Sequence, residues 1–306
     1  MPPDASPVSV YSALDSTIRS HYCVLYESQR LCGKSRNTKR LFRGALNSFD
    51  AFLGRPAVLS DLNDATFAAF LAVLAERVRP ATVNNIRSKI VALWSFLARK
   101  SIVDRWPTVP PVTEPEIVPV AWSDAELRAL WQASESVPGE FGGVPVSGWL
   151  RALHSIIYDT GERISAVLSL RQADIDLTGQ WVNFQAATRK GGRKSNLTRV
   201  HADTIQAISR IWMPRRELLL PWPYHATYLQ QWYAREVLIP AGLPADRAHK
   251  FHCLRRTSAT RIEAAGGDAT KMLGHSDRRI TVKYYLDPRQ IPRQFACDLL
   301  PRVPAE

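Results

Sequence analysis

MLGHSDRRITVKYYLD, residues 272–287, sets a glycine and a histidine just ahead of a basic run that ends in two adjacent tyrosines. Gly274 punctuates the chain within the region, after residue 201, where helical periodicity returns. Working upstream, KFHCLRRTSAT, residues 250–260, carries His252 and Arg255 three positions apart, so on a helix the two share a face. Further up, YDTGERISAVLSL, residues 158–170, puts Arg163 just past a glycine turn, at the start of another helix. Three helical segments thus each deliver cationic or proton-carrying side chains, and the expected fold is mainly α.

Arg163, Lys190, His252, Arg255, His275 and Tyr284 are the candidate catalytic residues. Guanidinium forks are always charged and match the non-bridging oxygens of a phosphodiester with paired hydrogen bonds. A phenol with a pKa of about 10 is a poor nucleophile until neighbouring cations favour the phenolate and a base takes its proton. His252 can hold a proton near neutral pH, and a lysine among other cations can give one to a departing hydroxyl. Lys190, at the end of the first strand of the 181–201 segment, has Lys194 across the turn as its rival.

A net charge of +12, with 45% apolar residues and nine tryptophans, describes a basic globular chain, a balance that favours a polyanionic partner over charge kept only for solubility. The length suits two domains. Residues 106–119, WPTVPPVTEPEIVP, hold five prolines and read as an extended linker. Ahead of it lie residues 1–10, a flexible N-terminus, and a helical domain at 11–105; residues 120–306 form the second domain with a C-terminal tail.

In the first domain Leu41, Phe42, Ala45, Leu46, Phe49, Phe52 and Leu53 recur at helical steps, and Gly54 ends that helix. A second helix carries Phe67, Phe70, Leu71 and Leu74, and a third starts from a Thr82 cap. Arg36, Lys39, Arg40 and Arg43 on the first helix, with Asn84, Arg87 and Lys89 on the third, are the candidate DNA-binding residues. After the linker, Ser123 and Glu126 form a capping-box pattern. WVNFQAATRKGGRKSNLTRVH, residues 181–201, reads as a hairpin around Gly191-Gly192, which adds a small antiparallel sheet to the helical domain.

Four cysteines without a CxxC pair indicate neither a disulfide framework nor a zinc site. No apolar run reaches eighteen residues, and MPPDASPVSVYS lacks the regions of a signal peptide, so the expected location is cytoplasmic, on the nucleoid. Asp174 and Asp176, the one carboxylate pair suited to a metal, fit better as turn caps ahead of a strand. No metal ligands are assigned.

The three boxes occur in the order seen in tyrosine recombinases, the phage-type integrases, and resemble their T-G-x-R, H-x-L-R and L-G-H boxes and terminal tyrosine. TFAAFLAVLAERVRPATVNNIRSKIVALWSFLARK likewise resembles the family's helical core-binding domain, so the likeness spans about residues 10 to 290. It implies two domains closing on double-stranded DNA and a 3′-phosphotyrosyl intermediate. It also implies that no nucleotide or metal cofactor is needed and that exchange takes four protomers.

The resemblance implies that Arg163 and Arg255 bind the phosphate, that His275 donates to it, and that His252 helps remove the proton of Tyr284. That tyrosine lies nine residues past His275 and three past Thr281, as in the family, with Tyr285 as a packing aromatic. Lys190 would be the hairpin lysine that protonates the leaving group. The tail PRQIPRQFACDLL, with the apolar Phe295, Ala296, Leu299 and Leu300, reads either as a segment that docks on a neighbouring protomer or as a self-packed C-terminal helix.

Two departures stand out. Ala166 replaces the usual acidic residue three after the first arginine, leaving Glu162 and Asp159 as nearby acids, and AAGGDATKMLGH is shorter than the usual span. The alternatives are a DNA-binding protein that no longer cuts, motivated by Ala166, and a DNA-relaxing enzyme like type IB topoisomerases.

Overall fold

The computed structural model describes residues 16–189, 194–292 and 299–300; Lys190, Phe295, Ala296 and the first ten residues lie outside them. The chain divides into two compact units, Met1–Glu116 and Ile117–Glu306.

The first unit is helical. A stretch comprising Ile18–His21, a π-helical turn Tyr22–Tyr26 and Glu27–Arg30 leads to α1 (Arg36–Leu53), α2 (Asp64–Arg77) and α3 (Pro80–Arg99). Ser35 caps α1 by accepting from the Thr38 amide at 3.2 Å, and Gly54 ends it with a φ of 68°. Phe42, Ala45, Leu46 and Phe49 are buried, whereas Leu41, expected on the same face, is exposed. Asn63 caps α2. The third helix begins two residues before Thr82: Pro80 takes its first position, where a fixed φ helps and a missing N–H costs nothing. The core is largely aromatic, with Phe49 and Phe70 at 5.1 Å and Phe67 and Trp94 at 6.0 Å.

The proline-rich segment lies along α3. Asn84 donates to the Val112 carbonyl at 2.8 Å and accepts from its amide at 2.9 Å. Arg87 Nε donates to the Val109 carbonyl at 3.0 Å, and Trp94 Nε1 to the Arg105 carbonyl at 2.6 Å. Extended backbone next to prolines lacks sheet partners, and these side chains supply some of them.

The second unit opens with α4 (Asp124–Glu135), whose Ser123–Glu126 capping box is formed. A two-stranded ribbon, β1 (Glu140–Phe141) with β2 (Val144–Pro145), feeds α5 (Val146–Thr160). Gly161 ends α5 with a φ of 60°, and α6 (Ile164–Leu168) follows. Then come β3 (Ile175–Asp176), β4 (Trp181–Phe184) and β5 (Asn196–Arg199), an antiparallel sheet in that order with Trp181 opposite Arg199 and Phe184 opposite Asn196. Asp176 accepts from the Thr178 and Gly179 amides at 3.0 and 2.8 Å, a turn cap as expected.

The remaining helices are α7 (Ala202–Arg210), α8 (Ala226–Tyr233), which continues as a π-turn to Leu238, α9 (Phe251–Ala264), α10 (Ala269–Leu273) and α11 (Arg278–Tyr285). Trp149, Leu150, Leu153, Ile156 and Ile157 on α5 are fully buried, and α4, α7 and α9 pack against that helix. At about 1.5–3 kcal/mol for each large apolar side chain removed from water, α5 is the axis that fixes where its C-terminal turn sits. Its His154 is buried among Ser134 and Tyr233, whose hydroxyl lies 2.8 Å from Nε2. Among the described residues no helix is long and apolar enough to cross a membrane.

Candidate active site

Three chain segments meet where α5 ends. The left-handed Gly161 turns the chain so that Arg163 becomes the N-cap of α6. Opposite it, the first two turns of α9 present His252 and Arg255, and the end of α10 delivers Gly274, also left-handed at φ 66°, and His275. Glu162, Arg163, His252 and Arg255 line a cleft of about 280 Å³ together with Arg247 and Lys250, two cations that the sequence motifs do not single out.

Arg255 is 1% exposed. Its guanidinium donates to the Gly161 carbonyl, to the Leu273 carbonyl at 3.2 Å and toward His275 Nε2 at 3.5 Å. One side chain thereby ties the first box to the third. Burial and then the nearby charge of Arg163 pull its pKa down to about 10, so it stays a cation at neutral pH. Arg163 is half-buried and close enough to bias both Arg255 and His252 electrostatically.

His252 has its pKa drawn down to about 4 by desolvation and by the charges of Arg256, Arg255, Arg163 and His275. The residue is exposed, so the surrounding cations are the firmer part of that cause. A neutral imidazole in this position can accept a proton. His275 places Nδ1 3.0 Å from the hydroxyl of Thr281, which is fully buried.

The two tyrosines of α11 face differently. Tyr285 is 6% exposed; its ring lies 4.6 Å from that of His275, 5.1 Å from that of His252 and 5.2 Å from the Arg255 guanidinium carbon. It is thus the packing aromatic of the site. Tyr284 is 51% exposed, with the Lys283 ammonium 5.6 Å from its ring centre. Its carbonyl accepts from Arg256 Nε at 3.1 Å, which ties the end of α11 to α9. Successive helical residues differ by about 100°, which is why adjacent tyrosines on one helix end up with such different exposure.

The position of Ala166 holds no acid, and the two nearby carboxylates are engaged differently. Ala166 is buried, and Asp159 braces the start of α7 through the His201 amide at 2.8 Å and the Thr204 hydroxyl at 2.6 Å. Glu162 is the carboxylate in the site: 2% exposed, it accepts from Arg189 Nε at 2.8 Å, from Asn196 Nδ2 at 3.1 Å and from the Arg163 amide at 3.3 Å. Arg189 carries no motif, and sequence reasoning missed it; its place beside Lys190 is the one signal that could have found it. Lys190 itself lies outside the described residues, and Lys194 is exposed, its carbonyl accepting from Arg189 at 3.0 Å. Among the described residues no cluster suits a metal ion.

In the first unit Arg36 and Arg40 are exposed, while Lys39 and Arg43 both approach Glu27, at 3.4 and 3.1 Å. Lys89 contacts Asn85 Oδ1 at 2.9 Å, and burial lowers its pKa. Asn84 and Arg87 have their side chains on the proline-rich segment, as described above.

The Phage integrase family model matches residues 123–290. The tyrosine recombinase XerD of Lacticaseibacillus casei is 24% identical over 274 residues, covering 82% of this chain and 88% of the relative. XerC of Rhodospirillum centenum is 28% identical over 277 residues, covering 82% and 78%. A lambda integrase dimer bound to a COC' core site superposes with a TM-score of 0.67 at 18% identity, covering 88% of this chain and 94% of that one. The XerH site-specific recombinase bound to a palindromic difH substrate gives 0.65 at 19%, covering 86% and 81%. With the three boxes gathered at the end of α5 and the family model spanning them, the chain belongs to the phage integrase family, the tyrosine recombinases.

Proposed function

We propose that this protein is a site-specific DNA recombinase that breaks and rejoins strands through a phosphotyrosyl link. The observation that carries the reading is the convergence of Arg163, His252 and Arg255 on one cleft, with His275 3.5 Å from the Arg255 guanidinium and the ring of Tyr285 against it. In-line attack on a phosphodiester adds negative charge to the non-bridging oxygens, and fixed guanidiniums stabilise that charge most when it is greatest. The Tyr284 oxygen attacks phosphorus as its proton passes to His252. The P–O5′ bond breaks, and the 5′ oxygen takes a proton, for which Lys190 is the proposed donor. The 5′ hydroxyl of a second strand then attacks the 3′-phosphotyrosine and returns the phenol. One phosphoester replaces another at each step.

Arg36, Lys39, Arg40, Arg43 and Lys89 are proposed to meet the DNA backbone. Asn84 and Arg87 reach it only by releasing the proline-rich segment. Assembly as a tetramer on DNA and a location on the nucleoid follow from the same reading, and the tail from 290 onward is the proposed docking element. The test is a nicked suicide duplex carrying the target site, followed by denaturing electrophoresis. A covalent adduct is expected from the unmodified chain, none from Tyr284→Phe, and an adduct from Tyr285→Phe. Loss with Tyr285→Phe and retention with Tyr284→Phe would move the nucleophile by one residue. No adduct on any cognate site would leave a DNA-binding protein.

A further inference from the structure

The carboxylate at position 162 precedes the first box arginine instead of following it by three, and its surroundings are those of a built support. Glu162 Oε1 takes hydrogen bonds from Arg189, at the end of the hairpin's first arm, and from Asn196, at the start of its second. The ion pair with Arg189 closes to 2.7 Å with side-chain exposures of 14% and 2%. Glu162 Oε2 takes the amide of Arg163, and its own amide donates to the Thr160 hydroxyl at 3.2 Å. On its far side Arg189 lies against the third box: a Cβ built on Gly274 would come 3.1 Å from its terminal nitrogen. One buried pair therefore touches the turn that presents Arg163, both arms of the hairpin and the residue before His275.

We infer that Glu162 and Arg189 are positioning residues of the strand-cutting site, and that Glu162 supplies from the other side of Arg163 the buttress that Ala166 cannot give. This rests on the recombinase reading above. A side chain that only filled space would not need to accept from both arms of the hairpin and from the amide of Arg163. A carboxylate buried beside so many cations would otherwise attract the substrate-binding arginines, but its engagement with Arg189 leaves Arg163 and Arg255 facing the cleft.

The experiment compares Glu162→Gln, Arg189→Met and the double variant in single-turnover cleavage of the nicked duplex at saturating protein, with melting temperature and DNA affinity measured alongside. Each single change strands a buried partner and lowers the melting temperature. Each is expected to slow adduct formation by about 10- to 100-fold, the effect of misplacing a binding group by about an ångström, with DNA affinity within about threefold. The double variant leaves neither charge unpaired and regains most of the melting temperature, yet remains at least about 10-fold slow. Asp159→Asn, which loosens α7, is the control and leaves the cleavage rate unchanged. Recovery of rate together with stability in the double variant, or an undiminished rate in Glu162→Gln, overturns the inference. An unmodified chain that forms no adduct overturns the recombinase reading and this inference with it.

Discussion

Replacing Gly161 by alanine tests whether the turn at the end of α5 holds Arg255 in place. The glycine has a φ of 60°, and an alanine there costs about 1–2 kcal/mol in the left-handed region. Its Cβ would lie 2.7 Å from Met272 Cε and 3.2 Å from Leu273 Cδ2. The methionine methyl is the end of a flexible chain and gives way; Leu273 is buried and yields less, so overpacking adds roughly 1–2 kcal/mol. A total of about 2–4 kcal/mol lowers the melting temperature by roughly 5–15 °C for a domain of this size. The functional effect travels through the Gly161 carbonyl, which accepts from the Arg255 guanidinium. A shift of about 1 Å there is enough to slow cleavage by about 100-fold.

Gly266→Ala is the matched control, because Gly266 has a φ of 81° with nothing within 4 Å of an added Cβ. It should cost only the conformational part, about 1–2 kcal/mol, and leave cleavage untouched. Both variants would be followed by thermal denaturation and by single-turnover cleavage at a temperature where each is fully folded. If Gly161→Ala melts lower but cleaves as fast as Gly266→Ala, the carbonyl does not position Arg255 and the reasoning fails.

Two further outcomes are expected. Because desolvation and the cations around it draw the His252 pKa down to about 4, the acid limb of the cleavage rate should lie near pH 4, below the ordinary histidine range, with the base active above it. Arg256→Gln removes one of those charges and should move the limb upward; a limb that stays put or moves down would remove His252 as the base. DNA affinity should fall steeply with salt, and Arg36→Ala or Arg40→Ala should each lower the slope of log affinity against log salt by about 0.9 if each meets a phosphate. Arg87→Ala should instead lower the stability of the first unit through the Val109 carbonyl and leave the slope alone, and a reduced slope would place Arg87 on the DNA.

The parts of this protein that were legible in its sequence are those written in local code. Gly54 and Gly161 end helices because only a residue without Cβ takes that conformation readily, and Ser123 with Glu126 starts one because both partners lie within a turn. The boxes place Arg163, His252, Arg255 and His275 because each follows its own turn or opens its own helix. Long-range pairing left no such mark. Glu162 and Arg189 are 27 residues apart, and nothing in either neighbourhood announces the other. Asn84 and Arg87 looked like free surface because the segment that occupies them lies more than twenty residues on. The tyrosine pair is a third kind of case: spacing selects Tyr284, while packing turns Tyr285 inward, because the first is read from chain position and the second from side-chain contacts.

The site's charge balance gives that last distinction its physical sense. Arg255 is buried without a carboxylate partner among the described residues, held by neutral carbonyls, and its Nε has no hydrogen bond there. Arg163, Arg247 and Lys250 add positive charge around the same cleft, and the carboxylate in it, Glu162, is already engaged by Arg189. Burying a cation without a counter-charge is costly, and proteins rarely sustain it without a use. Here the Tyr285 ring, lying against the guanidinium, offsets part of that cost through its π face. A phosphodiester would offset far more of it, because its oxygens carry full charge and match the fork. Arg255 and its neighbours thus form a cationic cleft whose missing counter-charge a bound phosphodiester would supply.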